Sequence, residues 1–417
     1  MSTTSADEAG APADPPAAPV APPSIGGVGE RYASDLHDTT SAATLGLALG
    51  VAFTVCFATG LLSHGIQHPP GWLTWPSRPA GLYRVTQGLH VATGLASIPL
   101  LVAKLWVVAP AFWTKPPVRS VAHAVERAML LPLVGGSAFL LVSGTFNTFQ
   151  FYPWEFFFTR AHYGVAWITV GGLVVHVAAK AALTRSTLGG PRRRPSEAGD
   201  AAAPTARTAP AGELVGRPSR SDRRWFLGGV AAASGALTLA TVGQTIRPLR
   251  AVSVLAPRDP GVGPQGIPVN KTARAARVTP ELTGDGYRLR VTGRVGRPLE
   301  LTLAELAALP QRTATLPIAC VEGWSASATW RGVPLRDLLA LADAEPDAEI
   351  GLGSLQTGGL YRRSAVSAEH AADPDTLLAL TLDGEPLHLD HGYPVRLIAP
   401  NRPGVMQTKW VAEVQVR

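Results

Sequence analysis

The chain has 417 residues, of which 46% are hydrophobic and only 16% are charged, and its mean hydropathy is +0.14. An ordinary soluble domain carries about 25% charged residues, so this composition argues against a purely soluble protein. With only two cysteines, the chain cannot form a disulfide framework, a Cys₄ iron–sulfur cluster or a CxxCH haem attachment. Its net charge of +7 is typical of proteins that bind nucleic acid, so that class of partner has to be considered.

Residues 1–40 are rich in Ala, Pro, Ser and Gly, and no basic segment precedes an apolar one, which predicts a disordered tail and not a signal peptide. Four apolar stretches come next, each long enough for the roughly 20 residues that cross hydrocarbon. Trp and Tyr in the connections are typical of membrane interfaces. We predict a four-helix membrane domain over residues 41–184, with helices at about 40–62, 83–109, 122–145 and 161–183.

Residues 185–222 predict a disordered basic linker. Nine arginines and four acidic residues give residues 185–224 a surplus of five positive charges, which accounts for most of the net charge. No aromatic side chain is interleaved for base stacking, so we expect no nucleic-acid partner. The positive-inside rule instead predicts that the linker and the N-terminus are cytoplasmic.

A fifth membrane helix is predicted at residues 223–248, where it would anchor the C-terminal region to the membrane. The run Ser-Asp-Arg-Arg-Trp-Phe-Leu at 221–227 resembles the twin-arginine export signal, with paired Arg223 and Arg224. That resemblance implies export of a folded domain that has received its cofactor in the cytoplasm. With five crossings, the C-terminal region is expected outside a bacterial cell membrane as part of a multi-pass protein.

The composition turns soluble after Arg250, and residues 265–417 predict an α+β domain large enough to bury its own core. Alternating or apolar runs at 287–292, 396–399 and 410–416 predict strands, and residues 303–309 and 335–341 predict short helices. The predicted fold is therefore a membrane all-α bundle followed by a soluble α+β domain.

Several of the ten histidines fall inside the predicted membrane helices, where ionisable side chains are costly and usually functional. His162 and His176 lie on one face of the fourth helix, about 21 Å apart along its axis. Pairing by depth gives His90 with His162 near the outer side and His123 with His176 near the inner side, and His64 is the alternative for the outer site. A zinc site lacks nearby Cys or carboxylates, so bis-His haem ligation is favoured.

These histidines belong to runs that resemble a four-helix bacterial cytochrome b module: Ser-His-Gly-Ile-Gln-His-Pro-Pro at 63–70, Gly-Leu-His-Val-Ala-Thr-Gly at 88–94, Val-Ala-His-Ala-Val-Glu-Arg at 121–127, Ala-His-Tyr at 161–163 and Val-His-Val at 175–177. The resemblance implies b haem and electron exchange with the quinone pool in the lipid bilayer. Lys104 stands where a second histidine of the second helix would lie, which leaves one or two haems open.

Cys320 is the sole cysteine of the soluble region. A lone cysteine is most often a small buried hydrophobe. Its surroundings, Cys-Val-Glu-Gly-Trp at 320–324, combine with the runs 330–339, 377–387 and 391–410 to resemble the molybdopterin domain of the sulfite oxidase superfamily. The Cys-Ala-Gly-Asn-Arg-Arg pattern of true sulfite oxidases is absent, and the motif is more similar to the bacterial methionine-sulfoxide reductase branch. No immunoglobulin-like domain precedes the end of the sequence at Arg417, so we expect no dimer of the sulfite oxidase type.

The resemblance implies that Cys320 ligates molybdenum and that Tyr361 and Arg362 lie on the substrate side. The residues that it implies as contacts of Mo-molybdopterin, besides Cys320, are Asn270, Lys271, Ser354, His391, Arg396, Arg402, Gln407, Thr408 and Lys409.

The combined prediction is a membrane-bound molybdenum oxidoreductase that performs oxygen-atom transfer on a small or protein-bound sulfur compound, of sulfoxide or sulfite type, outside the membrane. Its b haem would connect that site to the quinone pool. The alternatives are a sulfite-type dehydrogenase that runs in the oxidative direction, a non-catalytic redox or cofactor sensor, and a transporter-like bundle with a structural exterior domain.

Overall fold

The computed structural model describes residues 34–112, 118, 120–189 and 218–417. Most of the predicted N-terminal tail and of the predicted linker, residues 1–33 and 190–217, lies outside the described residues.

Five helices in the described part of the chain are long and apolar enough to cross a membrane. Oxygen atoms of Asp38, Ser120 and Ser219 cap three of them by accepting hydrogen bonds from backbone N–H groups of the first turn. The five are α1 Thr39–Gln67, α2 Leu82–Phe112, α3 Val121–Thr148, α4 Phe158–Gly189 and α5 Arg220–Val242.

The helices extend beyond the apolar stretches that predicted them. α1 continues to Gln67, so His64 lies within it. Residues 185–189 complete α4 and residues 220–222 begin α5, so both ends of the predicted linker are helical. Hydropathy finds the part of a helix that suits lipid, whereas caps and tertiary contacts decide where the hydrogen-bonded turns end.

The bundle packs α1 on α2 and α3 on α4, and α5 lies against α2. Small side chains lie where α5 packs on the bundle. Ala42 of α1 and Ala103 of α2 are buried together beside Phe226 of α5. Large apolar side chains such as Val102 and Leu131 remain exposed around the outside, which is the surface that lipid would cover.

The C-terminal domain contains two sheets of five strands each. The first has the order β2-β1-β10-β5-β6, with β1 and β10 parallel and the other pairs antiparallel. The second is antiparallel, in the order β3-β4-β7-β8, with β9 also paired to β7. The strands are β1 Leu289–Gly293, β2 Leu299–Leu301, β3 Arg312–Ala319, β4 Ser325–Pro334, β5 Ile350–Ser354, β6 Arg363–Val366, β7 Leu377–Leu382, β8 Glu385–Pro386, β9 Arg396–Ile398 and β10 Val411–Val416.

Short helices connect the strands, and the predicted helices at 303–309 and 335–341 are among them. A helical N-terminal region followed by a domain of mixed helices and sheets is therefore confirmed. The short helices are α6 Ala273–Ala276, α7 Pro280–Thr283, α8 Leu303–Ala308, α9 Leu335–Leu341 and α10 Ala368–Ala372.

The C-terminal domain rests on one end of the bundle, where α1 ends and α2 begins. Arg78, in the segment between these helices, makes a two-pronged contact with Asp373, with Nε to Oδ2 and Nη2 to Oδ1 distances of 3.1 Å each. The hydroxyl of Ser77 donates to the same carboxylate at 2.7 Å. The Asp373 side chain is buried in this ion pair, whereas the Arg78 side chain is about half exposed to solvent.

Candidate active site

Cys320 follows β3 directly and begins a tight turn that leads into β4. The turn is closed by two backbone hydrogen bonds, from the Cys320 N–H to the Trp324 carbonyl (2.9 Å) and from the Gly323 N–H to the Cys320 carbonyl (3.1 Å). Gly323 has φ of +94°, and a Cβ there would lie 3.0 Å from the side chain of Val91 in α2. Glycine is therefore required both by the turn and by the approach of the membrane helix.

The Cys320 thiol is buried, with 3% of the residue exposed, and Asn270 Nδ2 donates to Sγ at 2.8 Å. Burial raises the pKa of the thiol far above its usual range, and the nearby charge of Glu322 raises it further. The thiol therefore keeps its proton unless a metal cation replaces it, since a coordinating thiol is deprotonated by the metal.

Glu322 is a buried carboxylate two residues from Cys320, and it belongs to the motif around the cysteine without a role that the sequence could assign. Its oxygens accept hydrogen bonds from Gln150 Nε2 and, at 3.2 Å, from Trp324 Nε1. The indole also donates to Asn270 Oδ1 at 3.1 Å. Burial raises the pKa of Glu322. Asn270, Trp324 and Glu322 thus form one polar network around the thiol.

A second cluster, of buried cations, comes from the β9 and β10 region. Arg396 is 2% exposed, donates from Nη1 to the His391 carbonyl at 3.1 Å and lies over the Trp330 ring at 5.5 Å. Lys409 Nζ donates to the carbonyls of Lys271 (2.9 Å) and Asp390 (2.7 Å). Arg396 and Lys409 thus donate to backbone carbonyl oxygens, whose partial negative charge does not neutralise the two cations.

The cations affect each other's protonation. Burial lowers the pKa of Arg396 to about 9 and that of Arg402 to about 10. Burial, with Arg396 next in importance, lowers the pKa of Lys409 to about 7. His391 Nε2 lies 2.6 Å from the Pro264 carbonyl, and burial with the charge of Arg396 lowers its pKa to about 4. An anion beside Arg396, Lys409 and His391 would oppose the lowering of their pKa values.

The other predicted contacts lie next to these cations. The region bordered by these residues, the cations and Cys320 is the pocket of the C-terminal domain. Lys271 Nζ donates to Gln356 Oε1 at 2.7 Å, the Ser354 hydroxyl donates to the Lys409 carbonyl at 2.7 Å, and the Thr408 and Ser364 hydroxyls lie 2.7 Å apart.

Not every predicted residue points into the pocket. Arg402 Nε and Nη2 donate to the carbonyls of Met406 and Ala365, and Gln407 Nε2 donates to the Arg402 carbonyl at 3.0 Å, so these side chains brace the loop before β10. Arg362 is exposed, and its Nη1 lies 3.5 Å from the Thr357 carbonyl.

Tyr361 is half-buried and contacts the membrane bundle. Its hydroxyl accepts a hydrogen bond from Gln67 Nε2 of α1 at 3.0 Å, and its carbonyl accepts from Gln356 Nε2 at 3.0 Å. Sequence reasoning selected Tyr361 and missed Gln67, since no local pattern links residues 294 positions apart.

Inside the bundle, His90 of α2 and His162 of α4 face each other with ring centroids 6.1 Å apart at 79°. His90 Nδ1 lies 2.8 Å from the Cys56 carbonyl and His162 Nδ1 lies 3.2 Å from the Ser143 hydroxyl, which leaves both Nε2 atoms for another partner. Two imidazoles on one metal ion at about 2 Å each place their ring centres about 6 Å apart. The structure therefore brings together the predicted outer pair.

The two rings border a cavity of about 200 Å³ that is lined mainly by apolar side chains of α1–α4. His90 packs closely on Gly60, where a Cβ would lie 2.6 Å from His90 Nδ1, and His162 lies next to Gly144. His64 also lines the cavity, but its ring stacks on Tyr163 at 3.8 Å and 10°.

The predicted inner site has a different environment. His176 Nδ1 is buried without a hydrogen-bond partner among the described residues, and the charged groups that act on it are Lys104, Lys180 and Glu126. The pairing of His176 with His123 stays a prediction.

Residues 276–417 match the family described as the oxidoreductase molybdopterin-binding domain. The C-terminal domain is a molybdopterin-binding oxidoreductase domain. The chain is 35% identical over 131 residues to a subunit named for protein-methionine-sulfoxide reductase, YedZ1 of Azospira oryzae, covering 31% of this chain and 49% of that one. It is 33% identical over 165 residues to the mitochondrial sulfite oxidase of Rattus norvegicus, covering 33% of this chain and 30% of the oxidase.

Among solved structures, the sulfane dehydrogenase SoxCD of Paracoccus pantotrophus matches with 28% identity and a TM-score of 0.30, covering 32% of this chain and 38% of that one. The chain thus spans half or less of the length of the curated relatives that it matches.

The pocket of the molybdopterin-binding domain fits the cofactor chemically. Cys320 offers one soft sulfur ligand, which suits a metal whose remaining positions are filled by the pterin and by oxygen. Arg396 Nε is buried without a hydrogen-bond partner in the described structure, and so is Gln407 Oε1. The pterin cofactor carries a phosphate and polar ring edges. Its phosphate would supply the hydrogen-bond acceptor that the Arg396 guanidinium lacks.

Proposed function

We propose that this chain is a membrane-anchored molybdenum oxidoreductase that performs oxygen-atom transfer on a sulfur compound outside the membrane and exchanges electrons with the quinone pool through b haem. The molybdopterin-binding domain supports the oxygen-atom chemistry. The five apolar helices support the membrane anchor.

The observation that carries the proposal is the position of Val321. Its neighbour Cys320 faces the molybdopterin pocket, while Val321 itself lines the cavity that contains His90 and His162. Two membrane helices hold this residue, because its carbonyl accepts hydrogen bonds from Gln87 Nε2 of α2 (2.8 Å) and Asn147 Nδ2 of α3 (3.3 Å). One peptide unit therefore separates the candidate metal ligand from the wall of the candidate haem cavity.

In the molybdopterin-binding domain, Cys320 would hold the metal and Asn270 would hold the sulfur in place by donating to it. Arg396, Lys409 and His391 would hold the anionic and polar parts of the pterin, and Lys271 and Ser354 would support that pocket. When bound, molybdenum supplies two-electron oxygen-atom chemistry. The chain's own part is to orient substrate, and Tyr361 is the predicted residue that faces the interior there.

In the bundle, His90 and His162 would ligate one b haem, each held by a hydrogen bond to its Nδ1 that leaves Nε2 for the iron. His123 and His176 are proposed for a second haem, with His64 as the alternative ligand for the outer one. When bound, haem supplies single-electron transfer.

The charges of the bundle support an extracytoplasmic position for the molybdopterin-binding domain. Lys104, Arg127, Lys180 and Arg223 belong to the helix ends that lie away from that domain. By the positive-inside rule, that end would face the cytoplasm, together with the linker. The twin-arginine-like run at the start of α5 agrees with that orientation.

A sulfoxide-type or sulfite-type substrate is proposed because the matching relatives are named for methionine-sulfoxide reductase and sulfite oxidase. Oxidative use of the same site, or a sensor that binds the cofactor without turning over substrate, are the competing proposals.

The test is the Cys320→Ala variant of the full chain, purified from membranes. We expect it to lose molybdenum and all turnover with methionine sulfoxide or sulfite, and to keep the reduced-minus-oxidised spectrum of the b haem. Retained molybdenum and turnover in this variant would contradict the assignment, and a wild-type protein that holds molybdenum but acts on neither substrate would favour the sensor.

A further inference from the structure

The α1–α2 connection reaches the molybdopterin pocket. Asn401, which is 2% exposed in the molybdopterin-binding domain, holds this connection by three hydrogen bonds: its Nδ2 donates to the Pro76 carbonyl (2.7 Å), its N–H donates to the Ala80 carbonyl (3.0 Å), and its Oδ1 accepts from the Tyr83 N–H (2.9 Å). These bonds fix the first turn of α2 on the C-terminal domain, so the direction of Tyr83 is set by both domains.

Tyr83 consequently places its ring at the metal-ligand loop. The residue is 2% exposed and packs with Ile66 of α1 and with Ala319, the residue that precedes Cys320. Ala319 is adjacent in the chain to Cys320, and Ile66 is adjacent to Gln67, which donates a hydrogen bond to the Tyr361 hydroxyl. Tyr83 of the membrane bundle therefore lies beside the loop that carries Cys320, and the helix on which it packs also contacts Tyr361.

The Tyr83 hydroxyl is buried and has no hydrogen-bond partner among the described residues. Leaving a buried donor unpaired costs about 1–3 kcal/mol, and such a group calls for an explanation. The neighbouring Tyr361 hydroxyl accepts from Gln67 Nε2, which leaves its own proton free to be donated. Two phenol O–H groups are thus available, and the residues that control them lie in α1 and α2.

We propose that the membrane domain completes the substrate site: Tyr83 donates a hydrogen bond to the oxygen of the substrate beside Cys320, and Gln67 positions Tyr361 to donate a second one. The inference rests on the proposed molybdenum function and specifies its substrate side. A sulfoxide or sulfite oxygen accepts hydrogen bonds and donates none, so it matches a pocket that presents two O–H donors.

This arrangement assigns different roles to the two residues. Tyr83 contacts substrate and is a catalytic residue, whereas Gln67 acts through Tyr361 and is a positioning residue. The molybdopterin-binding domain without α1 and α2 would lack the Tyr83 donor and the support of Tyr361.

The test uses the full-length holoenzyme with Tyr83→Phe, which removes only the unpaired hydroxyl and leaves the ring packing. We expect kcat/KM for methionine sulfoxide to fall about a hundredfold to a thousandfold, as for the loss of one preorganised donor. We also expect the g values of the Mo(V) EPR signal to shift while the molybdenum content and the haem spectrum stay unchanged.

Tyr287→Phe is the matched control, because the buried Tyr287 hydroxyl donates to the Val411 carbonyl in the sheet, away from Cys320. It should lower thermal stability without shifting the Mo(V) signal. Gln67→Leu is the second variant, and it should shift the Mo(V) signal through Tyr361 and raise KM more than it lowers kcat.

Mo(V) signals and kcat/KM values that match wild type in both Tyr83→Phe and Gln67→Leu would overturn this inference and leave the molybdenum assignment intact. Absence of molybdenum from the wild-type protein would overturn the proposed function, and the inference with it.

Discussion

The two pockets of this chain differ in the groups that they leave unsatisfied. The cavity in the bundle is mainly apolar and is lined by His90 and His162, whose Nδ1 atoms are already engaged in hydrogen bonds. The pocket in the C-terminal domain is polar and contains buried cations such as Arg396 and Lys409. The first pocket is proposed to hold a haem between two histidines, and the second is proposed to hold the anionic cofactor. In each pocket, the polar atoms that lack a protein partner therefore indicate which kind of cofactor could bind there.

Variants that disrupt only the bundle cavity test whether the two pockets bind their cofactors independently, and they should have the largest effect. We expect His90→Ala and His162→Ala each to abolish the low-spin spectrum of the outer haem, because each removes one of two axial ligands, while molybdenum content stays at the wild-type level. The measurement is the reduced-minus-oxidised absorbance spectrum with metal analysis of the same sample.

His68→Ala is the control for those variants, since His68 is exposed just beyond α1 and is assigned to no site. An unchanged haem spectrum in both His90→Ala and His162→Ala, with a loss in His64→Ala, would move the outer ligand to the alternative histidine.

The complementary change weakens the anion pocket. Arg396→Gln should lower the retention of molybdopterin about tenfold to a hundredfold, because hydrogen bonds to charged groups contribute about 1.5–3 kcal/mol. The haem spectrum should not change. Arg336→Gln is the matched control, since Arg336 is exposed and pairs with Asp337 on the surface; equal cofactor loss in both variants would show that the pocket charge is not what holds the cofactor.

A smaller effect is expected from the contact that joins the two regions. Asp373→Asn removes the charge that Arg78 and Ser77 share, and should destabilise the docked arrangement by about 1–3 kcal/mol. Limited proteolysis of the α1–α2 connection measures this, and faster cleavage is expected. Asp337→Asn is the control, and a cleavage rate equal to that control would mean that the ion pair does not hold the domains together.

The smallest expected effect is a pH dependence of cofactor binding. Burial lowers the pKa of Lys409 to about 7, and an anion beside it would raise that pKa. Binding then takes up a proton above pH 7, so affinity should fall as the pH rises from 7 towards 9, by at most about tenfold per pH unit. Retention of molybdenum after incubation across that range is the measurement, and Lys409→Gln should flatten the curve.

The sequence predicted the parts of this molecule that rest on local patterns. Hydropathy located the five long helices, and alternation located β1 and β10. The 3.6-residue period and matching depth selected His90 and His162, which the fold brings face to face. The resemblance carried by the motif around Cys320 and by the run 391–410 selected the thiol and the buried cations Arg396 and Lys409.

The features that the sequence did not predict depend on contacts between distant segments. Tyr83 and Gln67 lie in helices whose apolar pattern indicated only a membrane span, and Glu322 belongs to a motif that gave it no role. Their environment exists only after the C-terminal domain docks on the bundle, through Asn401 and Asp373. Burial and unpaired hydroxyls are properties of that docked state, and no periodicity encodes them.

The proposed molybdenum ligand Cys320 is adjacent in the chain to Val321, which lines the proposed haem cavity, so the two redox centres should lie close together. The most direct measurement is the spin-relaxation rate of Mo(V) in the full-length protein, observed by EPR with the haem oxidised and with the haem reduced. We predict that oxidised, paramagnetic haem accelerates the relaxation of Mo(V) and that reduction of the haem or His162→Ala removes the acceleration. Equal relaxation rates in all three samples, with molybdenum and haem both present in the wild type, would show that the two centres are not close to each other.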